Sequence, residues 1–128
     1  MEMTMSEFKS AYLMPAIGSE PDEESYDETY VAIGNIILRE CFDLNNKMRQ
    51  KNGLEPLTEF VELEEDDVIP YELEVMINCV VYGWGALLII DDVDDEAGKY
   101  GILADKYEQA KAKFGLVRFA TVVSDYGV

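Results

Sequence analysis

The sequence predicts a mainly α fold. It reads as a small bundle of three long helices, a short N-terminal helix or arm, an acidic loop open to a short strand, and an extended C-terminal tail. Three observations carry that expectation. In two long segments apolar residues recur at spacings of three and four, one face of a helix. A third segment, Val75 to Ile90, is apolar almost all round, with Asn78 its only strongly polar side chain. The acids concentrate between these segments: residues 1–30 hold eight acids and one base, 55–74 nine acids and no base, and 91–96 five acids and no base. At 128 residues the chain is about one domain, long enough for a real core. It divides into an arm with an acidic loop (1–26), a helical bundle (27–115) and a C-terminal docking tail (116–128).

The elements follow in chain order. Phe8, Ala11, Tyr12 and Leu13 fit a short amphipathic helix or an extended arm, closed by Pro15 and Gly18. The first long helix is expected from Asp27 to Asn52. Tyr30, Ile33, Ile37, Cys41, Leu44 and Met48 form its apolar face, acids stand at its start, and Lys47, Arg49 and Lys51 at its end. Gly53 stops it. Thr58 to Leu63 alternates weakly, which leaves a short strand or an extended loop open. Pro70 suits the first turn of the second helix, with Glu72 and Glu74 beside it. Asp94 or Asp95 caps the third helix, in which Tyr100, Leu103, Tyr107, Ala110 and Phe114 share a face and which Gly115 closes. The short turn between the second and third helices sets them antiparallel. Leu116 to Val128 has strand propensity through Val117, Phe119, Val122, Val123 and Tyr126.

Composition excludes several functions. A formal charge of −17 argues against binding nucleic acid through its phosphates and against an anionic membrane. With no histidine, Ser-His and Cys-His nucleophile pairs and most zinc sites are absent. Cys41 and Cys79 lie in apolar runs, too far apart for a CxxC motif, and read as two small buried hydrophobes kept reduced in a cytosolic setting. The turn Asp91 to Glu96 fails as a calcium loop, because the sixth and twelfth positions are Glu96 and Ile102, or Ala97 and Leu103 in the next register. Gly83-Trp84-Gly85 lies within a helix and is no phosphate cradle; its glycines read as close packing and Trp84 as core. No signal peptide is expected at the N-terminus, and the apolar run is too short for a membrane span. No enzyme, metal or cofactor is expected.

The second helix carries an apolar surplus. Leu73, Met76, Val80, Trp84 and Leu87 make one face; Val75, Cys79, Tyr82, Ala86 and Ile90 make another. Either the N-terminal arm covers the extra face or a further copy of the chain does, and the sequence reading assigns subunit packing to Val75, Cys79, Tyr82, Trp84 and Ile90.

Ile69 to Phe114 also resembles the head–tail connector, or adaptor, proteins of tailed bacteriophages. The matching positions are Pro70, Tyr82, Gly83, Asp91, Asp92, Tyr107, Glu108 and Ala110, with Asn45 and Asn46 on the upstream helix. The resemblance covers roughly 90 residues and leaves out the arm and the loop Glu59–Asp67. It implies a helical bundle that assembles with copies of itself into a ring, typically of twelve, under the portal protein. The ring closes the DNA-filled capsid in the virion neck and docks a tail or neck protein, after a stay in the host cytoplasm during assembly. On this reading Phe119, Val122, Val123 and Tyr126 dock on the portal or a neighbour. Glu64, Glu65, Asp66, Asp67, Asp91, Asp92, Asp94 and Asp95 give an acidic channel or surface past which DNA slides without specific binding. The alternative is an acidic DNA mimic that inhibits a nucleic-acid-binding enzyme.

Overall fold

The computed structural model describes residues 2–19, 26–90 and 98–125, with side chains described as far as Phe114. Thr4 opens the first helix with a capping box: the Glu7 amide donates to Thr4 Oγ1 and the Thr4 amide donates to Glu7 Oε1, both at 3.1 Å. The helix begins as α1 (Met5–Phe8), widens into a π-helical stretch (Lys9–Leu13) and finishes as α2 (Met14–Ala16). Of the two forms the sequence left open for this segment, the helix is the one found. Gly18, at φ 75°, turns the chain out of it. Met5, Phe8, Leu13, Met14 and Ile17 are buried in the same core as the rest of the chain.

The first long helix expected over Asp27–Asn52 is two helices, α3 (Tyr30–Glu40) and α4 (Phe42–Lys51), interrupted at Cys41. No proline or glycine stands at the break. Hydrogen bonding carries across it, from the Cys41 amide to the Ile37 carbonyl and from the Asn45 amide to the Cys41 carbonyl. The cause is tertiary, since Cys41 is fully buried and its sulfur lies against Cys79 and Tyr107, both remote in sequence. Among the described residues there is no strand, only a single antiparallel bridge between Thr4 and Val68. The short strand open at Thr58–Leu63 is an irregular segment.

The apolar rod starts as α5 (Leu73–Val75), passes through a second π-helical stretch (Met76–Val80) and ends as α6 (Val81–Leu88). The π turns matter to its burial. Its wet positions are Leu73 and Glu74, Ile77 and Asn78, then Tyr82 and Leu87, all on one side of the rod. The other sides are wrapped by the chain itself. Trp84 stacks with Phe8 of α1 at 5.6 Å and with Tyr30 of α3 at 6.5 Å, and its indole N–H donates to the Tyr30 carbonyl at 2.9 Å. Gly34 gives the indole room: a Cβ there would lie 2.5 Å from Trp84 Cζ2. Likewise a Cβ on Gly83 would meet the Tyr107 ring at 2.8 Å, and one on Gly85 would meet Ile17 at 3.0 Å. The glycines of Gly83-Trp84-Gly85 are packing notches, as their position inside a helix implied.

This corrects the surplus argument. Val75, Cys79 and Trp84, assigned to subunit packing, have no exposed surface; Phe8 of the N-terminal helix covers Trp84, and Cys41 lies against Cys79. Of that set only Tyr82, partly, and Ile90, half, remain exposed. The first face also differs, since Leu73 is exposed.

The last helix, α7, runs from Lys99 to Asp125. Gly85 against Leu103 and Gly83 against Tyr107 set it antiparallel to α6, as expected. It continues straight through Gly115, so the backbone of 116–125 is helical and the extended tail is corrected. Strand propensity is weak against a helix already nucleated, where each added residue gains a hydrogen bond without a new nucleation cost.

Candidate functional site

The segment 53–72 lacks regular structure yet is held throughout. Asn35 on α3 is buried and clasps Leu63: its Oδ1 accepts from the Leu63 amide and its Nδ2 donates to the Leu63 carbonyl, both at 2.8 Å. Asn46 on α4 clasps Leu57 in the same two-way fashion, at 2.7 and 3.0 Å. Asn45 Oδ1 accepts from the Glu72 amide at 2.8 Å, and Asn52 Nδ2 donates to the Glu72 and Glu74 carboxylates. Each side-chain amide offers the donor and acceptor that a neighbouring strand would have offered. The opposite end of the segment ties to the N-terminal helix, whose Met5 and Ser6 amides donate to the Asp67 and Glu65 carbonyls. The Ile69 amide returns a bond to the Met3 carbonyl.

What this frame displays is acidic and apolar together. Glu59, Glu62, Glu64, Glu65, Asp66 and Asp67 are exposed. Among them stand Val61 at 61% and Val68 at 51% exposure. Arg39 lies over the Phe60 ring at 4.7 Å and pairs with Glu62 at 3.6 Å, and Phe60 meets Phe42 edge-on. Ile36, one helical turn before Arg39 on α3, is half exposed. Ile36, Val61 and Val68 thus stand in water beside carboxylates on a backbone held at several points. Tyr30 borders it: burial, then the Glu65 carboxylate that accepts its hydroxyl, push its phenol up to about 12. Lys9, almost fully buried, pairs with Asp27 and lies 4.8 Å from the Tyr30 ring centroid.

A second cluster is internal. Cys41 and Cys79, 38 positions apart, bring their sulfurs to 4.0 Å. The Tyr107 hydroxyl lies 3.5 Å from Cys41 Sγ and donates to Glu40 Oε1 at 2.7 Å. The hydrogen bond from Cys79 holds the Cys41 thiol below its ordinary range against the effect of burial, with Tyr107 adding to it. Hydrogen bonding to Cys41 and burial push Cys79 up, and burial does the same to Tyr107. Beside Tyr107 a cleft of about 230 Å³ is lined by Ile37, Glu40, Gly83, Leu87 and Lys111, among others.

The positions expected to act fall in different places. Glu64, Glu65, Asp66 and Asp67 lie together at the surface of the clasped segment. Asp91, Asp92, Asp94, Asp95 and Tyr126 lie outside the described residues. Phe119, Val122 and Val123 lie on the helical backbone of α7, beyond its described side chains. Cys41 and Cys79 are buried, and the structure adds that they are neighbours. Sequence spacing missed that pairing and both asparagine clasps; polar Asn35 in an otherwise apolar stripe was a signal for the first, and Asn46 carried none. Among the described residues no group of side chains is arranged to hold a metal ion, and no helix is long and apolar enough to cross a membrane. The chain matches no family model, no curated protein and no solved structure.

Proposed function

We propose that the chain is a structural assembly protein, an acidic helical adaptor that joins copies of itself into a ring beneath a phage portal and offers a docking surface to the tail. The observation that supports it best is the clasped segment 53–72, with Val61 and Val68 exposed among carboxylates on a backbone whose ends are already tied down. Such a surface loses little conformational freedom on binding, which favours association. Carboxylates at the surface repel passing DNA and keep it from adhering. With the rod wrapped by its own chain, the contacts between copies fall to the outer residues Ile36, Val61, Val68 and Ile90, and docking on the portal to Phe119, Val122, Val123 and Tyr126. The competing role, a DNA mimic that inhibits an enzyme, draws on net charge alone.

The test is mass in solution and negative-stain microscopy of the full chain, alone and with purified portal rings. Rings, or stoichiometric decoration of portal, are expected. A monomer at every concentration that ignores portal yet displaces DNA from a basic enzyme overturns the adaptor in favour of the mimic. Deletion of 116–128 is expected to abolish portal decoration, and unchanged decoration removes the docking role from that segment.

A further inference from the structure

We propose that Cys41 and Cys79 are a closable dithiol, converted to an intramolecular disulfide by hydrogen peroxide or a similarly small two-electron oxidant. The sulfurs already lie 4.0 Å apart, so bonding at about 2.05 Å asks each side chain for roughly 1 Å of movement. Both stand where helical backbone departs from regular α geometry. Cys41 is the single residue interrupting α3 and α4, and Cys79 belongs to the π-helical stretch Met76–Val80. Neither thiol touches solvent, which shields the pair from bulky disulfides such as oxidised glutathione. The cleft of about 230 Å³ beside Tyr107 admits something the size of water, whose share of liquid volume is about 30 Å³. Tyr107, whose hydroxyl touches Cys41, and Glu40, which accepts from it, are among the residues lining the cleft.

The same contacts supply a route for the proton. The Tyr107 hydroxyl donates its one proton to the exposed Glu40 carboxylate, which leaves its oxygen to accept from the Cys41 thiol 3.5 Å away. Shifting one proton along each bond leaves a Cys41 thiolate facing a phenol that now donates to it, and a protonated Glu40 that exchanges with water. The thiolate then attacks one peroxide oxygen. The O–O bond breaks, a sulfenic acid forms on Cys41, and the departing hydroxide takes a proton to become water. Cys79 sulfur attacks the Cys41 sulfur, its proton joins the leaving hydroxide, and a second water departs with the S–S bond in place. Two thiols are oxidised by two electrons and one peroxide is reduced to two waters. Cys41 is the attacking sulfur, because Tyr107 contacts it and because its thiol is the one held low.

The full folded chain is treated with hydrogen peroxide, quenched, unfolded and alkylated, then mapped without reduction. A Cys41–Cys79 linked peptide, a mass lower by two hydrogens, no alkylated cysteine and full reversal by dithiothreitol are expected. Oxidised glutathione at equal oxidising equivalents is expected to close the pair at least tenfold more slowly. Recovery of both thiols after peroxide, oxidation of one cysteine to sulfinic acid without linkage, or dimers linked between chains would overturn the proposal. So would closure at the same rate in denaturant, because then the fold positions nothing. Tyr107→Phe keeps the ring against Gly83 and removes only the hydroxyl; about tenfold slower closure at neutral pH, recovered at alkaline pH, is expected, and an unchanged rate overturns the proton route.

Discussion

The rod Leu73–Leu88 and the segment 53–72 adjoin in sequence and pose opposite problems. The rod has too much apolar surface; the segment has too many backbone amides and carbonyls without a ladder. The chain meets the first by removing side chains, at Gly34, Gly83 and Gly85, so that rings and methyl groups of other helices seat against the rod. It meets the second by adding side-chain amides, at Asn35, Asn45 and Asn46, which stand in for absent strands. The difference teaches that hydrophobicity of one segment does not settle who covers it. A rod greasy on two faces needs a second subunit only if its own chain has no third wrapping, and here the N-terminal helix is that wrapping.

The comparison is broken most severely at the rod. Trp84→Ala removes a fully buried indole that stacks with Phe8 and Tyr30 and is expected to cost about 3–5 kcal/mol, read by denaturant unfolding. Gly34→Ala tests the notch from the other side: a methyl 2.5 Å from the indole is expected to cost about 1–3 kcal/mol by overpacking, while the same change at Gly53, open on all sides but at φ 78°, acts through backbone strain alone. On the segment, Asn35→Ala strips the Leu63 amide and carbonyl of their partners. A loss of about 1–3 kcal/mol is expected, with hydrogen exchange accelerated around Leu63 more than within α6. Alkali separates the two further. Because the Tyr30 phenol titrates near 12 in the fold against an ordinary 10, its contribution is complete below about pH 10 and is lost as pH climbs from 10 to 12. Tyr30→Phe is expected to flatten that part of the stability profile. The smallest change in stability belongs to Val61→Asp, within about 0.5 kcal/mol; under the proposed adaptor role its effect is expected on assembly with portal instead, measured by sedimentation.

Much of the helical content was legible. The three-and-four spacing from Tyr30 to Met48 and from Leu103 to Phe114 marks faces turned to the core, although Tyr100, counted with the second, is exposed, and Gly83-Trp84-Gly85 reads correctly as packing. Three things were not legible, each for a physical reason. The break at Cys41 comes from contacts with Cys79 and Tyr107, remote in sequence, and local propensity carries no trace of them. The helical state of 116–125 follows from continuation of α7, which overrides β-branched preference. The order of 53–72 comes from side chains on other elements, so its own composition says only that it is acidic. The surface half of the candidate site, Glu64 to Asp67, stood out as a charge block; the clasps that fix it and the thiol pair beneath it did not.

The two π-helical stretches make the core sensitive to phase. Each residue of an α-helix turns the chain by about 100°, so excising one residue between Met76 and Val80 would swing Gly83, Trp84 and Gly85 by about that angle relative to Val75. Tyr107, Ile17 and Phe8 would then face the wrong atoms. Insertions and deletions along this stretch are therefore a harsher probe of the fold than most point substitutions, and those that leave the chain foldable should come in numbers that restore a near-complete turn.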